Sequence, residues 1–193
     1  MLGTVALAAE YNGIAKAQHV RDKLAEIIRV SELGYAAGFT ASELGKPELY
    51  VPGMGFMPYG PGSYIPHSIY ANVGRCLTGE AVFREAEILC DVTGGIPATF
   101  PYEGDFMNPE TKDLLYKYIT RNPDIHPEDA AQLWRYIGDI LCSASGGIHL
   151  IGSYHGGGSP IMESIAITTQ YDIDSRKKMV KRLAGIPDRK KNS

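Results

Sequence analysis

The sequence predicts an all-α fold, a bundle of four or more helices. Apolar residues recur at the three-and-four spacing of a helix stripe in several segments, whereas the alternating pattern of a half-buried strand is nearly absent. The 193 residues are 44% hydrophobic and 21% charged, which is typical of a globular protein. We expect one helical-bundle domain over residues 1–187, with a long loop over 44–66 and a basic tail over 188–193.

The first predicted helix carries one apolar stripe that ends in small residues. The stripe consists of Ile14, Ala17, Val20, Leu24, Ile27, Ser31, Gly34 and Gly38. Gly34, Ala37 and Gly38 at its far end allow another backbone to approach closely. We place Glu10–Asn12 at the start of this helix.

The loop after this helix is rich in proline and glycine from Leu44 to Ser68, which excludes a helix across it. A loop of this length within a domain is usually functional or wraps a partner. Its aromatic residues indicate that it packs onto something. These aromatic residues are Tyr50, Phe56, Tyr59 and Tyr64.

The remaining helices are predicted from their caps and stripes. One helix begins near Pro66 or near Thr78 and ends at Thr93. The next starts with Asn108 as its N-cap and Pro109 at its first position. A single helix is expected within residues 126–151, its start marked by Pro127, Glu128 and Asp129 and its stripe running through Trp134 to Ile148. Two helices follow, the last closed by Gly185 and Pro187.

The segment "HGGGSP" is the first candidate site. Ser159 is a good N-cap and Pro160 is favoured at the first helical position, so the glycines lead directly into a helix N-terminus. Such a terminus offers unsatisfied N–H groups and a partial positive charge. Gly156, Gly157 and Gly158 would let an anion approach the backbone, as in a phosphate cradle. The other reading is a plain turn.

Composition and motifs exclude several classes of function. The net charge of −3 gives no reason to expect nucleic acid, and no apolar run approaches the length of a membrane span. Cys76, Cys90 and Cys142 are widely spaced, which argues against a disulfide framework and indicates a reducing cytoplasm. No histidine pair has metal-site spacing, and no active site supplied wholly by this chain is visible.

Four motifs together resemble the C-terminal domain of the 4-hydroxyphenylacetate 3-monooxygenase / 4-hydroxybutyryl-CoA dehydratase family. They occur in the family's order over nearly the whole chain. They are "AEYNGIAKAQHVRDKL" (Ala9–Leu24), "YANVGR" (Tyr70–Arg75), "DVTGGIPATFPYEGDF" (Asp91–Phe106) and "HGGGSP" (His155–Pro160), followed by a closing "RLAGIP".

The resemblance implies an acyl-CoA-dehydrogenase-like fold, of which this chain corresponds only to the C-terminal helical bundle. Proteins of this kind are typically tetramers that use FAD bound between domains. The cofactor-binding residues it implies here are His67, Arg75, His155, Gly156, Gly157, Gly158 and Ser159. Arg75 would hold a flavin or CoA phosphate, or it would be a surface arginine paired with Glu80 or Glu85.

Two departures separate this chain from the dehydratases, which also carry a [4Fe–4S] cluster. His67 stands where their histidine ligand would be, but Gly74 stands where they have a cysteine, and Cys76 faces roughly the opposite way on a helix. Gly152 and Ser153 occupy the place of their glutamate before the glycine loop, and Glu163 is not equivalent to it. We therefore expect neither this iron–sulfur cluster nor any other metal in this chain.

Three functions follow from these observations. The first is the C-terminal subunit of a monooxygenase-like flavoenzyme, with FAD at its junction with a separate subunit that supplies the other domains. The second is a 4-hydroxybutyryl-CoA dehydratase/vinylacetyl-CoA isomerase-like acyl-CoA protein. The third is a non-catalytic oligomerisation module that self-associates through the small-residue end of its first helix. In each case we expect a cytoplasmic homo-oligomer, a dimer or tetramer.

Overall fold

The computed structural model describes residues 1–47 and 64–187, and most of that part is helical with very little strand, which confirms the all-α prediction. The helices are α1 (Leu2–Tyr11), α2 (Gln18–Glu43), α3 (Ser68–Thr93), α4 (Ile96–Thr99), α5 (Glu103–Met107), α6 (Lys112–Ile119), α7 (Pro127–Cys142), α8 (Ala144–His155), α9 (Pro160–Gln170) and α10 (Ile173–Leu183). A two-residue pair, β1 (Lys46–Pro47) and β2 (Tyr64–Ile65), is antiparallel. The middle of the predicted long loop, with Tyr50, Phe56 and Tyr59, and the predicted basic tail lie outside the described residues.

The long helices α2 and α3 form the centre of the bundle, and small residues bring them together. A Cβ atom on Gly34 would lie 2.7 Å from Thr78 Cγ2, and one on Gly74 would lie 3.1 Å from Ala37 Cβ. Gly34 and Ala37 of the small-residue end predicted on the first helix therefore pack on α3 of the same chain. Gly38, at the far end of the same stripe, is exposed and has nothing within 4 Å of its Cβ position.

The core is built where α1, α2, α3 and α7 meet. Its largest fully buried side chains include Trp134, Ile137 and Leu89. The indole Nε1 of Trp134 donates a hydrogen bond to the carbonyl oxygen of Ile119 at 3.3 Å. The Nδ2 of Asn12 donates to the carbonyl oxygen of Val92 at 2.8 Å and ties the end of α1 to α3.

The beginning of the chain differs from the prediction because the apolar segment before the first stripe is itself a helix. Glu10–Asn12 therefore lie at the end of α1 and not at the start of α2. The chain turns at Gly13, whose φ of 71° favours glycine, and α2 starts only at Gln18. Ile14 of the predicted stripe thus packs against the core from the connection.

Helix boundaries after the long loop agree in part with the sequence. α3 starts at Ser68, which confirms the earlier of the two predicted starts, and α7 starts at Pro127 as predicted. Asn108 was predicted as the N-cap of α6, but this was wrong: its Oδ1 accepts a hydrogen bond from Glu110 N in a preceding turn, and α6 starts at Lys112.

The predicted single helix within residues 126–151 is two helices. It divides at Ser143, which is extended and whose Oγ accepts a hydrogen bond from Gly146 N at 3.0 Å. Serine competes with the helix for backbone hydrogen bonds, so it favours a cap over a helix interior. None of the helices in the described ranges is long and apolar enough to cross a bilayer.

Candidate functional site

The glycine loop connects α8 to α9 and has the cap that the sequence predicts. Ser159 is the N-cap and Pro160 the first residue of α9, although the Ser159 side chain makes no capping hydrogen bond. Gly158 has a φ of 129° and donates its N–H to the carbonyl oxygen of His155 at 3.0 Å. His155, which begins the HGGGSP motif, is the last residue of α8, because the helix runs up to the first glycine.

Gly157 lies directly on side chains from two other parts of the bundle. A Cβ atom there would lie 2.8 Å from Arg75 Cδ and 2.9 Å from Glu163 Oε1. The loop is therefore not a loose turn. Its inner side packs against α3 and α9, and only its outer side is open to a ligand.

Glu163 is a buried carboxylate that the sequence analysis did not assign to the site. It is 5% exposed, and its Oε2 accepts a hydrogen bond from Cys76 Sγ at 3.3 Å. The sequence could have indicated Glu163 through its helical spacing with Ala166, Ile167 and Gln170. This spacing places the carboxylate on the side of α9 that packs on α3.

Cys76 is half-buried beneath the loop, and its environment keeps the thiol protonated. Burial raises the pKa of the Cys76 thiol, and the hydrogen bond to the Glu163 carboxylate raises it further. Gly74, two residues earlier, faces Ala37 on α2, so the two positions face different helices. Within the described ranges, no three His, Cys, Asp or Glu side chains gather as a metal-binding group.

Arg75 lies between these two buried contacts and is exposed. Its stem passes under Gly157, and in the part of the chain that the structure describes its guanidinium makes no ion pair, with Glu80, Glu85 or any other carboxylate. The first turn of α9 begins beside it and leaves N–H groups unsatisfied. A guanidinium and a helix N-terminus thus meet at one glycine loop, an arrangement that fits a phosphate or pyrophosphate on its outer side.

His67 lies apart from this loop, at the N-cap of α3. Eight residues of helix separate it from Arg75, or about 12 Å along the axis. Its N–H donates to the carbonyl oxygen of Ala41 at 2.8 Å, and its ring contacts Tyr70 at 5.0 Å between centroids. The ring Nδ1 is buried and has no hydrogen-bond partner among the described residues.

A cavity of about 340 Å³ adjoins His67 and is lined by Leu44, Ile65 and Gln170 among others. A buried nitrogen without a hydrogen-bond partner is costly unless some group satisfies it.

Of the seven predicted site residues, the structure brings together Arg75 and the loop Gly156–Ser159. His155 is exposed at the edge of this group, with its ring against Tyr154.

This helical bundle, with the glycine loop between α8 and α9, matches a known protein family. The chain matches the family model described as HpaB, 4-hydroxyphenylacetate 3-hydroxylase C terminal, over residues 1–185. It belongs to this family, which confirms the resemblance drawn from the four motifs.

The relatives are longer proteins of two kinds. The chain is 30% identical over 194 residues to the 4-hydroxybutyryl-CoA dehydratase/vinylacetyl-CoA-Δ-isomerase of Clostridium aminobutyricum, a match that covers 96% of this chain and 37% of that protein. It superposes with a TM-score of 0.81 and 29% identity on an oxygen-tolerant archaeal 4-hydroxybutyryl-CoA dehydratase from N. maritimus, covering 100% of this chain and 37% of the other.

The second kind is represented by the oxygenase component (HpaB) of 4-hydroxyphenylacetate 3-monooxygenase, solved in complex with FAD. The TM-score is 0.78 and the identity 25%, over 94% of this chain and 36% of that one. The chain therefore spans little more than a third of the length of each of these relatives. It has the fold of their C-terminal helical domain.

Proposed function

We propose that this chain is the helical, FAD-contacting part of a flavin-dependent oxidoreductase resembling 4-hydroxyphenylacetate 3-monooxygenase. The observation that carries the proposal is the exposed Arg75 guanidinium, without an ion pair in the described ranges, beside the glycine loop and the start of α9. The FAD complex of a similar structure supports it. A bound flavin would supply electron transfer and oxygen chemistry that side chains cannot.

The residues of this chain would bind and orient the flavin. Arg75 would hold an anionic phosphate, and Gly156–Gly158 would let the backbone of the loop approach it, with Ser159 at the N–H groups of α9. Glu163 lies on the inner side of the loop and would repel an anion there, so the phosphate would lie outside. His67, with its buried Nδ1, would offer one hydrogen bond at the far end of α3, and His155 would border the phosphate.

Other protein segments would complete the flavin site, because the relatives are nearly three times longer than the matched region. We propose that a separate subunit supplies them and that this chain forms a cytoplasmic homo-oligomer, a dimer or tetramer.

The alternative function is that of an acyl-CoA protein like 4-hydroxybutyryl-CoA dehydratase, which the 30% identity favours. Gly74 opposes a dehydratase-type cluster, since it has no side chain to bind iron and packs on Ala37.

The test is a titration of the chain with FAD, followed by flavin fluorescence and by co-elution in size-exclusion chromatography. Arg75→Ala should weaken FAD binding by about 10–100-fold, the loss of one charge-assisted hydrogen bond. Arg21→Ala, at another exposed arginine, on α2, is the control and should bind like the parent chain. A chain that ignores FAD, or an Arg75→Ala variant that binds it normally, would contradict the proposal and favour a non-catalytic oligomerisation module.

A further inference from the structure

Two opposite charges lie close to one glycine of the loop between α8 and α9. A Cβ atom on Gly157 would lie 2.8 Å from Arg75 Cδ and 2.9 Å from Glu163 Oε1, so the arginine stem and the carboxylate are less than about 6 Å apart. Within the described ranges, however, neither side chain makes an ion pair. Arg75 is exposed, whereas Glu163 is 5% exposed. The positive charge is therefore in solvent and the negative charge is enclosed by the protein.

The enclosed carboxylate of Glu163 is only partly satisfied by its neighbours. In the part of the chain that the structure describes, its side chain takes part in one hydrogen bond, which Oε2 accepts from Cys76 Sγ at 3.3 Å. Oε1 lies against the loop, at 3.7 Å from the Cβ position of Gly158. Glu163 also lies in the first turn of α9, where the helix dipole favours a negative charge. Because little water surrounds this carboxylate, its field on a charge bound at the loop is weakly screened.

The carboxylate opposes the groups that would attract a phosphate to the loop. In the proposed function, Arg75 and the first N–H groups of α9 hold a phosphate on the outer side of the loop. The backbone of Gly157 separates that position from Glu163 Oε1, so the phosphate would lie about 7 Å from the carboxylate. Each negative charge on the phosphate is repelled over this distance, and a doubly charged phosphate is repelled twice as strongly as a singly charged one.

Phosphate groups of ligands differ in this charge. A terminal phosphate, bound to one group only, carries nearly two negative charges above neutral pH, because its second pKa is about 6. A phosphate that joins two groups has no second proton to lose and carries one charge, and the pyrophosphate of FAD carries one charge on each phosphorus. A loop with a buried carboxylate beneath it is therefore better suited to a joining phosphate than to a terminal one.

We propose that Glu163 is a specificity-determining residue of the glycine loop, which disfavours doubly charged terminal phosphates and so selects a phosphate that joins two groups. This inference rests on the proposed function and specifies the class of phosphate that Arg75 accepts. Glu163 acts through space from beneath the loop and does not contact the ligand. Gly157 is required for this arrangement, since a Cβ atom there would displace the carboxylate or the stem of Arg75.

The test uses three flavins that share a ring system and differ in charge. They are riboflavin, which is neutral, riboflavin cyclic phosphate, which is a singly charged diester, and FMN, which has a doubly charged terminal phosphate at about pH 8. Their affinities for the full chain are measured by flavin fluorescence. In Glu163→Gln the affinity for FMN should rise by about 3–30-fold relative to that for the cyclic phosphate, the effect of one charge at about 7 Å. The affinity for riboflavin should stay the same.

Three further variants separate the charge at position 163 from packing. Glu163→Met is a second neutral side chain of similar length and should change the ratio of the two affinities as Glu163→Gln does. Cys76→Ala removes the hydrogen bond to Oε2 but keeps the carboxylate, so it should leave the ratio unchanged. Glu110→Gln changes the net charge of the chain by the same amount at an exposed position in the turn before α6, and it should also leave the ratio unchanged.

The outcomes distinguish this inference from the proposed function. If FAD binds and Arg75→Ala weakens its binding, but neither neutral side chain at position 163 changes the ratio, the inference is overturned and the proposed function stands. An equal change of the ratio in Cys76→Ala or Glu110→Gln would also overturn the inference, because packing or overall charge would then explain it. A chain that binds neither FAD nor any of the three flavins would overturn both.

Discussion

Gly74 makes the sharpest prediction about the bundle itself, because it lies where α3 packs closely on α2. Its Cβ would be 3.1 Å from Ala37 Cβ and 3.6 Å from the carbonyl oxygen of Gly34. Neither neighbour can rotate away, since both atoms are fixed to the backbone of α2. A methyl group at this position therefore has to push one helix away from the other.

The expected magnitude is a balance of two effects. Replacing glycine by alanine inside a helix gains about 1 kcal/mol of helix propensity. Overpacking a well-filled contact costs about 1–3 kcal/mol. Gly74→Ala should therefore leave stability unchanged or lower it by up to about 2 kcal/mol. Gly38→Ala, also in a helix but with no atom within 4 Å of its Cβ, should raise stability by about 0.5–1 kcal/mol.

The assay is urea unfolding of four proteins: the parent chain, Gly74→Ala, Ala37→Gly and the double variant. Removing the methyl group of Ala37 makes room for one on Gly74, so the double variant should be more stable than the sum of the single changes by about 1–3 kcal/mol. A coupling near zero, or a Gly74→Ala variant stabilised as much as Gly38→Ala, would refute the close contact between α2 and α3.

Three further predictions concern hydrogen bonds in the bundle. The first is measured in a Cys90→Ser/Cys142→Ser background, where Cys76 should be alkylated slowly at neutral pH. Because the Glu163 carboxylate helps to raise the pKa of the Cys76 thiol, Glu163→Gln should shift the pH profile of the alkylation rate to lower pH. The folded state binds the thiol proton of Cys76 more tightly than the unfolded state, so the free energy of unfolding should fall as the pH rises through the folded-state pKa of the thiol. Thermal melts at several pH values should show this decrease for the parent chain and not for Cys76→Ala. Asn12→Ala should cost about 1–3 kcal/mol in urea unfolding, since it leaves the Val92 carbonyl unpaired. Ser143→Ala should cost about 1 kcal/mol by the same measurement, through loss of the α8 cap, and an unchanged midpoint would contradict that role.

The elements that the sequence predicts correctly are those with a local cause. The Ser159–Pro160 start of α9 and the Pro127 start of α7 follow from capping chemistry, which acts within one turn. The order of the helices and the family follow from motifs spread over the chain. No long-range contact is needed for any of these.

The elements that the sequence misses are those whose pattern is ambiguous. Leu2–Tyr11 has no polar face, so its periodicity does not distinguish a helix from an apolar leader. The stripe through Trp134 and Ile148 continues across Ser143, so a break of one residue leaves the pattern nearly unchanged. The contact of Glu163 with Cys76 joins residues 87 positions apart and depends on how α9 packs on α3.

Three consecutive residues of α3 link the packing of the bundle to the candidate site. Successive helical residues point about 100° apart, so Gly74 contacts α2, Arg75 lies under the glycine loop and Cys76 contacts Glu163 on α9. The position of Arg75 is thus fixed by contacts on both sides of it. A Gly74→Cys variant would carry the cysteine of the dehydratase pattern. Its side chain should push α2 away from α3 and so disturb the position of Arg75. We therefore expect the packing of Gly74 on α2 and the position of Arg75 beneath the glycine loop to depend on each other.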